Sequence, residues 1–259
     1  MGKPRLNAIE FKTIDALLSL EYLIKSLNDN RILHTFYLEF GRRLYTLELV
    51  LRFCPPGSRV VDLGASPFIV SCALVRMGYN VVAVDYYPEE YSTMASAYGV
   101  KVIKADLERD KLDLADNSVD CAVFTEVLEH LNPYYVSHAM SEINRTLKLG
   151  GKLILTTPNI ASLFRRLRLL LGIQPQYATH VHEYTKKEVE GLLKKHGFRV
   201  IRSLYSEDSS VFNLLVAFDR YGKPLLPDLS ESMYRLLARV KSKSNDKCSL
   251  TLARFFEDT

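Results

Sequence analysis

The chain predicts an α/β fold in which a mostly parallel sheet is covered by helices on both faces. Short β-branched runs alternate with longer stretches of helical period, and three successive runs end at an aspartate, Asp62, Asp85 and Asp106. A parallel sheet gathers such strand ends along one edge, where carboxylates accept hydrogen bonds from ribose hydroxyls or an exocyclic amine. The pattern therefore points to a nucleotide-like cofactor.

At 259 residues, 47% of them apolar, the chain can bury a full core. Its formal net charge of +4 is too weak, without clustering, to indicate a nucleic-acid partner. The cysteines at 54, 72, 121 and 248 form no Cys-x-x-Cys pair, which argues against a zinc ribbon or disulfide framework. The opening MGKPRLNAIEFK lacks the apolar core of a signal peptide, and no apolar run approaches a membrane span. A cytoplasmic setting is expected.

Residues 1–56 read as an N-terminal helical extension or lid. Leu17, Leu20, Leu23, Ile24 and Leu27, then Phe40, Leu44, Leu47 and Leu51, recur at helical spacing around a break at 28–30, which predicts two helices. Cys54-Pro55-Pro56-Gly57 stops the second. The core domain, 57–259, then carries expected strands at 59–63, 80–85, 100–105, 119–125 and 152–157, with a sixth at 198–204 and a seventh at 248–255. Helices are expected near 68–77, 88–98 and 133–148. For the last, Asn132 is the expected cap, Pro133 the first residue, Val136, Met140, Ile143 and Leu147 the apolar stripe, and Gly150-Gly151 the end.

Two inserts interrupt this order, near 159–184 and 206–247. The first sets Arg165, Arg166 and Arg168 among leucines, so a helix with a basic face is expected, suited to a phosphate or carboxylate on an anionic acceptor. The second is partly apolar and partly turn-rich. Between them, Thr185-Lys186-Lys187-Glu188 spells a capping box, and Gly197 ends the helix it starts.

Glu126, Glu129 and His130 are spaced i, i+3, i+4 and share a face if the fourth strand runs straight into a helical turn. His180 and His182 lie in the loop before Thr185. Two carboxylates and one or two imidazoles suit Mg²⁺, Mn²⁺ or Zn²⁺. Without a metal, His130 or His180 can serve as general base.

The segments VDLG (61–64), AVD (83–85), DNSVDCAVFTEVLEHL (116–131), LKLGGKLILTTPN (147–159) and HVHEYTKKEVEGLLKKHGF (180–198) resemble class I S-adenosylmethionine-dependent methyltransferases, above all small-molecule enzymes of type 11 and type 23. The resemblance covers roughly residues 56–204. It implies a Rossmann-like, doubly wound sheet of seven strands, with Gly64, Ala65 and Ser66 beneath the methionine part of S-adenosylmethionine. Asp85 would take the ribose hydroxyls and Asp106 the adenine amine, with Asp62, Tyr86 and Leu107 in the same site. Thr125 and Glu126 would line it beyond the fourth strand. The usual G-x-G-x-G reads Gly64-Ala65-Ser66-Pro67-Phe68 here, so two glycines that permit close approach are replaced.

The Glu-x-x-Glu-His run with a distal His resembles metal-assisted O-methyltransferases of the ubiquinone-biosynthesis and small-RNA 3′-end kinds. Glu126, Glu129, His130 and His180 would then hold Mg²⁺ or Mn²⁺, and Glu126, His130 and His180 would be the catalytic groups. Methyl transfer from a sulfonium is an in-line displacement, and an oxygen acceptor needs its proton removed, so His and Glu favour O-methylation of a small molecule. Two other readings share the fold: a non-catalytic scaffold, and a nicotinamide-dependent oxidoreductase, whose G-x-G-x-x-G turn is missing. Oligomeric state, including a homodimer, stays open.

Overall fold

The computed structural model describes residues 8–203 and 205. Of two compact units, the larger takes in residues 1–36 and 40–204. Its sheet contains β1 (Arg59–Leu63), β2 (Asn80–Asp85), β3 (Lys101–Lys104), β4 (Val119–Thr125) and β5 (Leu147–Thr156), ordered β3-β2-β1-β4-β5 with every neighbouring pair parallel. The chain order reverses at β1, which opens a crevice beyond the carboxyl ends of β1 and β4 where ligands bind in such sheets.

Alternation along β1 sends Val61 and Leu63 to one face and Asp62 to the other. On the first face Val61, Leu63, Val84 and Phe124 pack in one cluster with Val136, Met140 and Ile143 of α7 (Val136–Thr146). The opposite face carries α5 (Ile69–Arg76) against β2, and α4 (Phe40–Phe53) against α5 and β5. Helices on both faces let the strands be apolar throughout, as in the fully buried Val60, Val61, Ala83 and Val84. No helix among the described residues is long and apolar enough to cross a membrane.

Several expectations change. The sheet has five strands among the described residues: 198–203 form no strand, although Phe198 packs on the core, and 248–255 lie outside the described residues, as does the 206–247 insert. Among the described residues the N-terminal region holds four helices rather than two, α1 (Ala8–Leu18), α2 (Glu21–Ser26), α3 (Asn30–Leu38) and α4. The break at 28–30 is real, with Asn28 at a φ of 53° and the Asp29 carboxylate accepting the Arg31 amide at 2.8 Å. A second break at Ser19-Leu20 escapes the periodicity because Leu17, Leu20 and Ile24 are all fully buried across it.

Helix α7 starts at Val136, not Pro133. The Asn132 side chain accepts the Tyr134 amide at 3.0 Å and closes a local turn instead of capping the helix. The helix ends at Thr146, before the glycines, because Leu147 already pairs with Val119. The chain then bulges through Gly150, at a φ of 79°, and rejoins β4 at Lys152 opposite Cys121. The helical stretch near 88–98 is a 3₁₀ turn, Pro88–Tyr91, followed by α6 (Ser92–Ala97). At α9 (Lys186–Lys195) the capping box forms as expected, with Thr185 and Glu188 exchanging hydrogen bonds of 2.7 and 3.4 Å.

Candidate active site

The turn after β1 is pinned to the end of β2. The Gly64 and Ala65 amides both donate to the Val84 carbonyl, at 2.8 and 3.1 Å, and the Ser66 amide donates to Asp85 Oδ2 at 2.9 Å. Gly64 has a φ of 67°, and a Cβ there would collide with Val127 Cγ2, so the position demands glycine on two counts. The replaced glycine of the motif is accommodated by strain: Phe68 takes a left-handed φ of 66°, its ring fully buried as it opens α5.

Asp85 Oδ1 accepts the Tyr87 amide at 2.9 Å, so both its oxygens hold backbone amides, and each keeps a further lone pair for a ligand. Asp106 closes the turn after β3, its Oδ1 accepting the Glu108 amide at 2.9 Å, with Leu107 partly buried against the core. Tyr86 is exposed and stacks edge-on against Tyr87, at 4.3 Å between centroids. Asp62 lies below this edge, buried and accepting the Ser71 hydroxyl at 2.6 Å. Burial pushes its carboxyl up to about 7; the Asp85 charge adds to the rise and the Ser71 hydroxyl opposes it. Its position suits bracing the turn against α5.

Beyond Thr125 the backbone does not enter a helix directly. Glu126 takes a φ of 57°, and only then does a 3₁₀ turn, Leu128–His130, begin. The expected common face is therefore lost. Glu126 points to Arg42 of α4, at 2.7 Å, and accepts the Thr156 hydroxyl at 2.8 Å. Such a backbone for a non-glycine residue at a strand end is stored strain of the kind found at functional sites.

Glu129 and His130 meet His180 instead. One potential ligand atom from each lies within 4.8 Å of the others, the one such grouping among the described residues. Glu129 is buried; its Oε2 accepts the Thr157 hydroxyl at 3.0 Å and its Oε1 has no partner. Burial first, then the nearby Glu126, pushes the Glu129 carboxyl up to about 7. His130 Nδ1 lies 3.1 Å from the Thr179 carbonyl, and His180 Nδ1 lies 2.7 Å from Glu183 Oε1. Both partners only accept, so each Nδ1 carries a hydrogen, and in the neutral ring Nε2 is the lone-pair atom. Partial burial lowers the His130 pKa, against the Thr179 carbonyl. His182 sits apart from the grouping, edge-on to Tyr184 at 4.5 Å.

The loop bearing His180 is tied down by Glu183, a residue the sequence reading passed over. Glu183 is buried between His180 and Arg165, whose Nη1 lies 2.7 Å from Oε2. The backbone is fixed as well: the Val181 and His182 amides donate to the Glu129 carbonyl at 2.8 and 3.1 Å. The only sequence signal was Glu183 following His180 by three residues. Its partner Arg165 is buried in α8 (Leu163–Leu170), which corrects the expected basic face. Arg168 donates to the Gln174 carbonyl at 2.9 Å, and of the three arginines Arg166 is the one exposed.

A parallel sheet that switches order at β1, with a glycine turn pinned to an acidic residue ending β2, is the doubly wound arrangement that class I S-adenosylmethionine-dependent methyltransferases share with other nucleotide-binding proteins. The chain belongs to the type 23 methyltransferase domain family, whose model matches residues 37–203. It is 33% identical over 116 residues to an uncharacterized methyltransferase of Mycobacterium bovis, covering 44% of this chain and 46% of that protein. It is 32% identical over 113 residues to a ubiquinone biosynthesis O-methyltransferase of Xanthomonas campestris, covering 42% and 46%. The chain thus spans about half the length of these curated relatives.

Among solved structures, an Archaeoglobus fulgidus methyltransferase matches with a TM-score of 0.50 and 18% identity, over 74% of this chain and 94% of that one. A Burkholderia thailandensis 1,6-didemethyltoxoflavin N1-methyltransferase, solved with its substrate and S-adenosylhomocysteine, matches with a TM-score of 0.52 and 19% identity, over 79% and 85%. At these identities the likeness is one of fold. Family membership selects the methyltransferase reading over the oxidoreductase one.

Proposed function

We propose that this methyltransferase transfers a methyl group to an oxygen of a small-molecule acceptor, with His130 or His180 taking the acceptor proton. The convergence of Glu129, His130 and His180 beyond the ends of β4 and β5 carries the reading, because both imidazoles keep Nε2 open. The acceptor oxygen attacks the methyl carbon, the carbon–sulfur bond breaks, S-adenosylhomocysteine leaves, and the proton passes to Nε2. The name of the Xanthomonas relative supports oxygen as the acceptor atom.

For the cofactor we assign Gly64, Ala65 and Ser66 to the methionine portion, Asp85 and Tyr86 to the ribose, and Asp106 and Leu107 to the adenine. Thr125 lies beside the transferred methyl, and Asp62 braces the turn from below. The N-terminal helices form a lid, which Arg42 latches to Glu126. Arg166, exposed on α8, is the cation placed to meet an anionic acceptor.

The same three residues fit a divalent ion: a buried, unpartnered carboxylate oxygen and two imidazoles whose other nitrogens are already held by a carbonyl and a carboxylate. Glu129, His130 and His180 would hold it, the Nε2 atoms of the two histidines then acting as ligands in place of bases, and the ion would lower the pKa of the acceptor hydroxyl. Glu126, turned to Arg42 and Thr156, would act from the rim.

Calorimetric titration with S-adenosylhomocysteine tests the cofactor assignment. Binding near the micromolar range is expected, weakened about ten- to a hundredfold in Asp85→Ala by loss of a charge-assisted bond. Equal affinity in the variant would place the ribose elsewhere. Transfer of labelled methyl to phenolic against amine acceptors then decides between oxygen and nitrogen.

A further inference from the structure

The turn assigned to the methionine portion of the cofactor is underlain by two carboxyls and no cation. Asp62 is 3% exposed, two positions before Gly64 on β1. Asp85 is 9% exposed at the end of β2, close enough for its charge to act on Asp62. From α5 the Ser71 hydroxyl donates to Asp62 Oδ2 at 2.6 Å, and the Cys72 thiol also feels the Asp62 carboxyl. On the neighbouring strands Asp62 pairs with Ala83 of β2 and Val123 of β4, neither of which ionises. Among the described residues the partners of Asp85 are the Ser66 and Tyr87 amides, and no Lys, Arg or His pairs with either carboxyl. Glu21 and Glu183, buried just as deeply, have Lys25 and Arg165.

A buried carboxyl beside a second carboxylate, served by one hydroxyl, holds its proton until a positive charge arrives. The remaining source of that charge is the ligand. S-adenosylmethionine carries a sulfonium and an ammonium against one carboxylate, so it brings a net positive charge. Methyl transfer removes the sulfonium charge and leaves S-adenosylhomocysteine neutral overall. Cofactor and product thus differ in shape by one methyl group and in electrostatics by a whole charge. A carboxyl shielded from water responds strongly to the second difference. Burial pushes that of Asp62 up to about 7, which makes its proton exchangeable near neutral pH.

We propose that Asp62 distinguishes S-adenosylmethionine from S-adenosylhomocysteine by charge, giving up its proton to solvent when the cationic cofactor binds and regaining one when the neutral product forms. The inference rests on the cofactor assignment above and goes beyond it, because it makes the preference for cofactor over product depend on pH. Ionised Asp62 favours the cation; protonated Asp62 does not. Ionisation increases with pH, so the preference for S-adenosylmethionine strengthens from the acid side towards neutrality and retention of product is greatest at the acid end. The proton balance closes over one turnover: one proton leaves as the cofactor binds and one returns after transfer, separate from the acceptor proton taken by an imidazole.

Isothermal titration of the full chain with each ligand, repeated in two buffers of different ionisation enthalpy, counts the protons exchanged. At about pH 6.5 S-adenosylmethionine should release about half a proton more than S-adenosylhomocysteine, as expected for a carboxyl whose proton is held about tenfold less firmly once the cation is bound. Between about pH 5.5 and about pH 7 the affinity for S-adenosylmethionine should accordingly rise about fourfold relative to that for S-adenosylhomocysteine. In Asp62→Asn the excess release and the fourfold change should both vanish, while the ligands' own ionisations are common to the two proteins. Ser71→Ala, which removes the hydroxyl that favours the ionised carboxyl, should move the window to higher pH and keeps the test decisive if Asp62→Asn does not fold. Equal proton release with the two ligands, an affinity ratio that ignores pH, or a pH dependence unchanged in both variants would overturn the proposal and leave the cofactor assignment standing. Failure of both ligands to bind at millimolar concentration would remove that assignment, and the proposal with it.

Discussion

Asp62 and Glu129 are carboxyls in surroundings that favour the proton, both pushed up to about 7 chiefly by burial. In an unfolded chain such groups ionise near about 4. The folded state therefore holds protons that unfolding releases between about pH 4 and pH 7. The stability these groups contribute is present at the acid end and is lost as pH rises to about 7. Asp62→Asn, which cannot ionise, should flatten the melting temperature between pH 5 and pH 8 and raise it at pH 8. A variant profile parallel to that of the parent would show that Asp62 ionises freely in the folded protein. Glu183 carries the opposite risk, since it sits buried against both Arg165 and His180. Removing one partner of a buried pair leaves the other uncompensated, so Glu183→Gln should cost about 3 to 5 kcal/mol in urea unfolding. It should also slow turnover, because an amide no longer dictates which nitrogen of His180 bears the hydrogen.

Among the elements, α9 has the clearest local specification. Thr185 and Glu188 satisfy each other's backbone amides, and the loop carrying His180, Glu183 and Tyr184 leads directly into that cap. Thr185→Ala should cost about 1 kcal/mol, read as a lower urea midpoint at unchanged slope. The limits of β1, β2 and β4 were legible because their β-branched runs are bounded by Gly57, Gly78 and Asn117, each at positive φ. Those of α7 and β5 were not. Leu147 reads as the last rung of an apolar helical stripe, yet it pairs with Val119 as the first residue of a strand. Periodicity cannot separate those two outcomes for one residue, because both bury it. Helix α8 misled in another way: Arg165, one of three arginines spaced for a basic face, turned inward, since a partner eighteen positions later in the chain, Glu183, was waiting for it.

At the scale of the whole molecule, the parallel sheet brings distant segments to one edge. Asp85 ends β2, Glu129 follows β4, and His180 arrives on the loop before α9, held by backbone bonds to Glu129 itself. A metal bound by Glu129, His130 and His180 would bridge two of those segments and so stabilise the fold by mass action. Mn²⁺ at about a hundredfold above its dissociation constant should add about 2.7 kcal/mol to the unfolding free energy. EDTA should reverse the gain and abolish turnover, and Glu129→Gln should remove the response. A melting temperature indifferent to Mn²⁺, with full activity in EDTA, would leave proton transfer to the imidazoles alone.

The amino-acid sequence by itself determined the parallel α/β class, the strand ends that carry Gly64 and Asp85, and the helix capped at Thr185. Each depends on signals within one element: a β-branched run, a glycine at positive φ, a capping pair. Only the tertiary structure decided that Glu126 leaves the Glu129, His130 and His180 grouping, that Glu183 orients His180, and that the leucines of α8 face outward. Those outcomes rest on side chains from separate elements competing for the same partners, Arg42 for Glu126 and Arg165 for Glu183. Spacing along a chain carries no record of which long-range partner wins.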